Sequence, residues 1–466
     1  MSPTILAHLY LTVLRTVCFL PLFWGLAAPA HAQYTDRAAI DHLGGPEAFA
    51  KRRSALAKEL KTGIVVLFAR SEIPEDSHYR EDNDFYYFTG IQDPGAIVTI
   101  NMENGHTSLY EPVMIDWLAR IEGKNLFGLT SEERKALGFP EVLPVTVFDS
   151  YLGVALQSKP GSALWLRLGY PDQVTLDRVE GSLYSGFRYS HPYRGDLPPE
   201  MAQVARLRER YPMAQVKDVT PAIDRMRNIK SPEEIAVLRR NGKISAEGDR
   251  EAIAHAHPGM YQYEIEGRAF AYFYSHGAQG VAYPAIVGSG ENINTWHYFS
   301  NRNMIQANEL VVFDYAASLD HLTMDITRTF NISGKFTPEQ AKWYSVDLEA
   351  QKAVIALLRP GQTYEDAVNA GKAVYEKAGI GDQWHGFPGH FVGMATHDVL
   401  SFSVSGPIQV GQVVTVEPIV EFVDKRMHFR VEDTILITEA GPEILSAAVP
   451  KELSDVEKLV GSAKEQ

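Results

Sequence analysis

The sequence predicts two folded regions, an α/β region over roughly residues 41–216 and an α+β region over 226–466, joined near 217–231. Three observations carry this. Helical and strand-like patterns alternate through the first stretch. A sharp helix-start signal, Ser231-Pro232-Glu233-Glu234, opens the second. Beyond it, capped helices and apolar strand runs follow one another twice, as expected for helices laid on one face of a curved antiparallel sheet.

Taken in chain order, residues 1–32 read as a secretory signal peptide. Arg15 is the single charge of the first 15 residues, Thr16 to Ala28 is a short apolar run interrupted by Pro21, and Ala30-His31-Ala32 fits a small-residue cleavage site. A retained membrane anchor is the alternative, but the run is shorter than the ~20 residues a spanning helix needs. The expectation is export to the periplasm or medium, with a mature chain from about Gln33 and no membrane association. The only cysteine, Cys18, lies inside this segment, so no disulfide can stabilise the mature chain.

Residues Gly45 to Leu60 form an amphipathic helical stretch, and Gly63 to Phe68, Phe85 to Thr89 and Ala96 to Asn101 read as strands. The charged cluster Tyr79 to Asp84 reads as a solvated loop before the second of these strands. In the second region Ser231 is a helix N-cap with Pro at the first helical position and Glu three residues after the cap. Thr337-Pro338-Glu339-Gln340 repeats the device, and Thr363-Tyr364-Glu365-Asp366 is a third start. The strand runs are Leu310 to Phe313, Met324 to Ile332, Val413 to Glu417 and Phe429 to Thr438.

With 466 residues and 45% hydrophobic composition the chain can bury a large core. A net charge of −14 gives no electrostatic attraction to nucleic acid or an anionic membrane surface.

Asp314, Asp325, Glu417 and Glu432 sit in or beside strand runs where apolar residues belong. A buried ionised carboxylate costs several kcal/mol or about that unless it is paired or binds a metal. Any one could be an ion-paired or edge-strand acid. Four in one region suggest shared cations. His390, in Gly389-His390-Phe391-Val392-Gly393, would add one imidazole. Such an oxygen-rich set tilts away from Mg or Ca toward Mn, Fe, Co or Zn, and its charge suits two ions with room for a bridging hydroxide.

From about Ile229 to Ile437 the chain resembles the pita-bread metallopeptidases, specifically their aminopeptidase P and prolidase branch. Asp314 and Asp325 stand eleven positions apart, as in that family; Gly389 to Asp398 matches G-H-x-x-G-x-x-x-H-D, Thr415 to Pro418 matches T-V-E-P, and Arg430 to Asp433 matches R-x-E-D. Ile286 to Asn292 leads to His297, which fits the family's substrate-side histidine. Asp84 to Gly90 looks like the N-terminal domain of bacterial aminopeptidase P.

The resemblance implies a catalytic pita-bread domain with a curved antiparallel sheet covered by helices, and two divalent ions, Mn first with Co or Zn as alternatives. Asp314 would hold one ion, His390 and Glu417 the other, with Asp325 and Glu432 bridging. His297 and His397 would contact substrate, Glu417 would shuttle a proton, and Arg430, two residues before Glu432 and so on the same face of a strand, would orient a carboxylate. The implied activity is removal of the residue before proline from peptides with proline second, in a homo-oligomer. A prolidase, acting on Xaa-Pro dipeptides, would share every metal ligand. A non-catalytic binding protein on the same fold would be expected to lose them. The sequence departs from the family at Ala316 and Ile419, where glycines are usual, and one extra residue separates His385 from His390, so His385 receives no role.

Overall fold

The computed structural model describes residues 33–71, 78–159, 161–172, 174–175, 178–189, 199–399, 404 and 406–463. The segment read as a signal peptide lies outside these residues. Among the described residues, no helix is long and apolar enough to cross a membrane.

The N-terminal region is a six-stranded mixed sheet in the order 142–144, 107–111, 97–101, 64–68, 163–166, 215–218. Ile64–Phe68 lies at its centre, antiparallel to Ile97–Asn101 and parallel to Ala163–Leu166. It is covered on one side by the helix Gly45–Leu60, whose Phe49 and Leu56 are buried. The last strand runs to Asp218, just past the boundary expected from sequence, and a helix, Arg37–His42, begins before residue 41.

Two expectations for this region fail. Phe85 to Thr89 is not a strand but part of a helix, Asn83–Thr89, with all seven residues buried. Asp82 caps its start by accepting from the Phe85 N–H at 2.9 Å, and Gly90 ends it in the left-handed conformation. The strand reading rested on aromatic content, which tertiary burial overrode. Nor is Tyr79 to Asp84 a solvated loop: Glu81, Asp82, Asn83 and Asp84 are all buried. The Arg167 guanidinium lies 2.7 Å from Asp82 and 3.0 Å from Asp84, and Arg178 and Arg227 also reach Asp84, so charge pairing permits the burial.

The C-terminal region begins where expected. Ser231 and Glu234 form a capping box at the start of the 23-residue helix Pro232–Ala254. Thr337 with Gln340, and Thr363 with Asp366, cap Pro338–Leu357 and Tyr364–Ala378 in the same way. These helices pack on short antiparallel sheets. One contains Ile286–Ser289, Leu310–Asp314 and Thr327–Asn331; another contains Val413–Val416, Asp433–Thr438 and Gly441–Ile444; the hairpin Ile419–Phe422 with Met427–Arg430 joins them. The long strand expected over Phe429 to Thr438 is thus broken at Val431 and Glu432. There the Val431 N–H donates to Asp347 at 2.9 Å and the Glu432 N–H to the Thr327 carbonyl at 3.0 Å, away from any regular ladder.

Candidate active site

Each of the four carboxylates stands at a strand end or a strand break, which moves Asp325, Glu417 and Glu432 out of the strands expected to contain them. Asp314 closes the strand Leu310–Asp314, and Asp325 precedes Thr327–Asn331. Glu417 follows Val413–Val416, and Glu432 occupies the break between Met427–Arg430 and Asp433–Thr438. At such places a side chain can turn inward while the backbone leaves the ladder.

The fifth group, His390, is held by the strand beside it. Its carbonyl accepts from the Thr415 N–H at 2.8 Å, and its own N–H donates to the Thr415 hydroxyl at 3.1 Å. Its Nδ1 lies 3.1 Å from the Phe391 carbonyl, which makes Nδ1 the donor and leaves Nε2 facing the carboxylates. Gly389 permits this approach: its φ is +155°, and a Cβ there would stand 2.2 Å from the Thr415 carbonyl oxygen.

All five expected groups converge. The ligand atoms of Asp314, Asp325 and Glu432 lie within 4.8 Å of one another, and so do those of His390, Glu417 and Glu432. Glu432 belongs to both of these triads, and the atoms of Asp325, His390 and His397 form a third. His390 Nε2 is 3.3 Å from both Asp325 Oδ2 and Glu417 Oε1.

The electrostatics of this cluster call for cations. Burial, reinforced by the neighbouring acids, pushes Glu432 well above the usual carboxylate range. Burial also pushes Asp314 up to about 7 despite the pull of Arg430. Against the same burial penalty, the His390 imidazole holds Glu417 down to about 2. Asp314 Oδ1 and Glu432 Oε1 are buried without a hydrogen-bond partner. Their other oxygens are oriented by Arg430 Nη2, 2.8 Å from Asp314 Oδ2, and by the Thr327 hydroxyl, 2.6 Å from Glu432 Oε2. Oriented carboxylates with orphaned oxygens fit a site for divalent metal.

A cleft of about 430 Å³ opens beside the cluster. His297, His397, Glu417 and Arg430 line it, so the structure brings every sequence-selected residue to one place. Burial lowers the pKa of His297 and favours its neutral imidazole. Trp384, Phe387, Pro388 and Ile419 supply apolar wall. Ile419 is thus part of the cleft wall; Ala316 is fully buried and does not line it. His385 lines the cleft without belonging to a ligand triad.

No local pattern pointed to Glu180. It comes from the helix Arg178–Tyr189 of the N-terminal region, lines the same cleft, and places Oε2 2.5 Å from His397 Nδ1. Thr327 and Tyr283, whose hydroxyl accepts from the Ile326 N–H at 3.2 Å, were also missed, because nothing local separates them from core residues.

Comparison with known proteins agrees with this geometry. Residues 236–439 match the sequence model of metallopeptidase family M24, and 49–165 match that of the aminopeptidase P N-terminal domain. The chain is 31% identical to the Xaa-Pro aminopeptidase of Escherichia coli (strain K12), over 90% of this chain and 98% of that one. It is 26% identical to a human Xaa-Pro dipeptidase, covering 81% and 84%. Its fold matches a zinc-substituted E. coli aminopeptidase P in complex with product, with a TM-score of 0.74, 29% identity and coverage of 90% and 99%. Convergent ligand groups, a two-region architecture and end-to-end similarity together place this chain in the aminopeptidase P family of M24 metallopeptidases.

Proposed function

We propose that the protein is a metallo-aminopeptidase that removes the N-terminal residue from peptides with proline in second position. The observation that carries this is the convergence of Asp314, Asp325, His390, Glu417 and Glu432 beside a cleft lined by three further histidines, His297, His385 and His397. The 31% identity to an Xaa-Pro aminopeptidase supports the substrate class.

Asp314 with the shared Asp325 and Glu432 would hold one divalent ion; His390 and Glu417 with the same shared pair would hold the second. Metal bound there lowers the pKa of a coordinated water and polarises the scissile carbonyl. The oxygen-rich set with one imidazole suits Mn, with Co and Zn as competitors. Glu417, the wall residue of the cluster, carries the water proton to the leaving nitrogen. That nitrogen belongs to proline and has no N–H, so recognition falls to the cleft's shape. His297 and His397 reach the substrate from the cleft wall, and Arg430 keeps Asp314 oriented.

The test is metal analysis and turnover of Asp325→Ala and Glu432→Ala. Each is expected to lose bound metal and activity; near-normal turnover by either overturns the shared-ligand assignment. Assays on a tripeptide Xaa-Pro-Yaa and a dipeptide Xaa-Pro, with Mn, Co or Zn added, separate aminopeptidase from dipeptidase and identify the most active metal. Exclusive dipeptide cleavage would make the protein a prolidase. Residues 1–32 are proposed to direct export and be removed; N-terminal sequencing of the exported protein should begin near Gln33, and an intact Met1 would refute this. The protein is also proposed to form a homo-oligomer, which light scattering of the purified chain tests; a monomeric mass would refute it.

A further inference from the structure

We infer that Glu180, supplied by the N-terminal region, is a positioning residue that fixes the ring of His397 in the catalytic cleft. The geometry is a hydrogen bond across the boundary between the two regions, Glu180 Oε2 to His397 Nδ1 at 2.5 Å, with both side chains on the cleft wall. A carboxylate only accepts, so Nδ1 carries the proton. The bond turns Nε2 away from Glu180, and the ring is held against rotation. The ring centroid lies 3.9 Å from that of His390, so a loosened His397 would press on a metal-ligand candidate.

Both ends of this contact are anchored, which separates it from a chance surface pair. On one side, Arg178, two residues before Glu180, is buried and bonded to Asp84 Oδ1 at 2.9 Å, Asp172 Oδ1 at 3.3 Å and Asp224 Oδ1 at 3.0 Å. These bonds fix the start of the helix that carries Glu180. On the other side, the Thr396 N–H donates to the Val174 carbonyl at 2.8 Å, and the Arg80 guanidinium reaches the Met394 carbonyl at 2.6 Å. Asp398 receives Arg227 at 2.7 Å and Lys230 at 3.1 Å. The segment bearing His397 is thus hung from Arg80 and Val174 of the N-terminal region and from Arg227 and Lys230 of the joining segment. The Thr175 carbonyl of the N-terminal region also accepts from the His397 N–H at 3.4 Å, while Glu180 reaches the ring itself.

The catalytic consequence rests on the aminopeptidase reading; the orienting role does not, and the experiment keeps the two apart. Full-length protein loaded with zinc and labelled with 15N-histidine is compared as parent, Glu180→Gln and Glu180→Leu, with the His397 signals assigned by their loss in His397→Ala. The parent should show His397 protonated at Nδ1. Glu180→Gln, which keeps an acceptor oxygen, should preserve that signature, and Glu180→Leu should lose it. With an Xaa-Pro-Yaa tripeptide, Glu180→Leu should lower kcat about 10–100-fold at unchanged metal content, the usual effect of removing a partner behind a functional histidine, and Glu180→Gln should recover most of it. An unchanged His397 signature in Glu180→Leu overturns the inference, as does a kcat within twofold of the parent in an active enzyme.

Discussion

Glu432 and Asp314 show why single residues of this site could be read from sequence. Each leaves one buried carboxylate oxygen with no partner, a cost that a protein tolerates only where another charge arrives. That cost makes an acid beside an apolar strand run conspicuous, and four such acids, with His390 beside them, were recoverable. Glu180 was not. It lies in an ordinary helical stretch, and its importance arises only from a neighbour 217 positions away. Glu81 was misread for a related reason. It is buried, its carboxylate accepts from the N–H groups of Arg70 and Asp82 and from the Tyr79 hydroxyl, and burial still raises its pKa to about 8. A carboxyl raised in the folded state binds its proton more tightly there than when unfolded. Its contribution is full below the unfolded value of 4.5 and is lost as pH rises through about 8. Between those limits the slope is up to about 1.4 kcal/mol per pH unit. Glu81→Gln removes this titration. Urea unfolding at pH 5, 7 and 9 should show stability falling less steeply in Glu81→Gln than in the parent; equal slopes would count against it.

Among elements, the helices that open with Ser231, Thr337 and Thr363 were legible because capping chemistry is local. The helix Asn83–Thr89 carried the same kind of signal, Asp82 before it and Gly90 after it, but its aromatic content was taken as β-forming. The two-residue break at Val431 and Glu432 could not be foreseen, since it depends on Asp347 and Thr327 from other elements. The segment Gly389 to Asp398 depends most tightly on one backbone choice. A Cβ at Gly389 meets backbone rather than a movable side chain, so the chain must shift away from Val413–Val416. Gly389→Ala should therefore break the Thr415 to His390 hydrogen bond, weaken metal binding at least tenfold and cost about 1–3 kcal/mol of stability. Calorimetric metal titration and thermal unfolding check this; a variant with parental metal affinity would contradict the close approach seen here.

Across the whole molecule, a buried charge network joins the two regions. Arg227 contacts Asp84, Asp172 and Asp398, and all four side chains are almost fully buried. No sequence pattern announces such a network, because its members come from four separate stretches of chain. Replacing one partner strands the others in low dielectric. Arg227→Met should lower stability by about 3–5 kcal/mol, read by chemical denaturation, with a loss below 1 kcal/mol arguing that water reaches the acids. The tyrosine ring of Tyr86, stacked on His321 at 3.6 Å, adds an aromatic contact across the same boundary.

The hanging of the His397 segment from Val174 and Arg80 has a consequence for exchange of parts between relatives. A chimera that grafts this C-terminal half onto a foreign N-terminal half would inherit every metal-ligand candidate, yet lack the struts that hold one wall of the cleft. Modules of this kind would have to diverge in concert, with substitutions at residues 394–398 matched by others near 80 and 174–180.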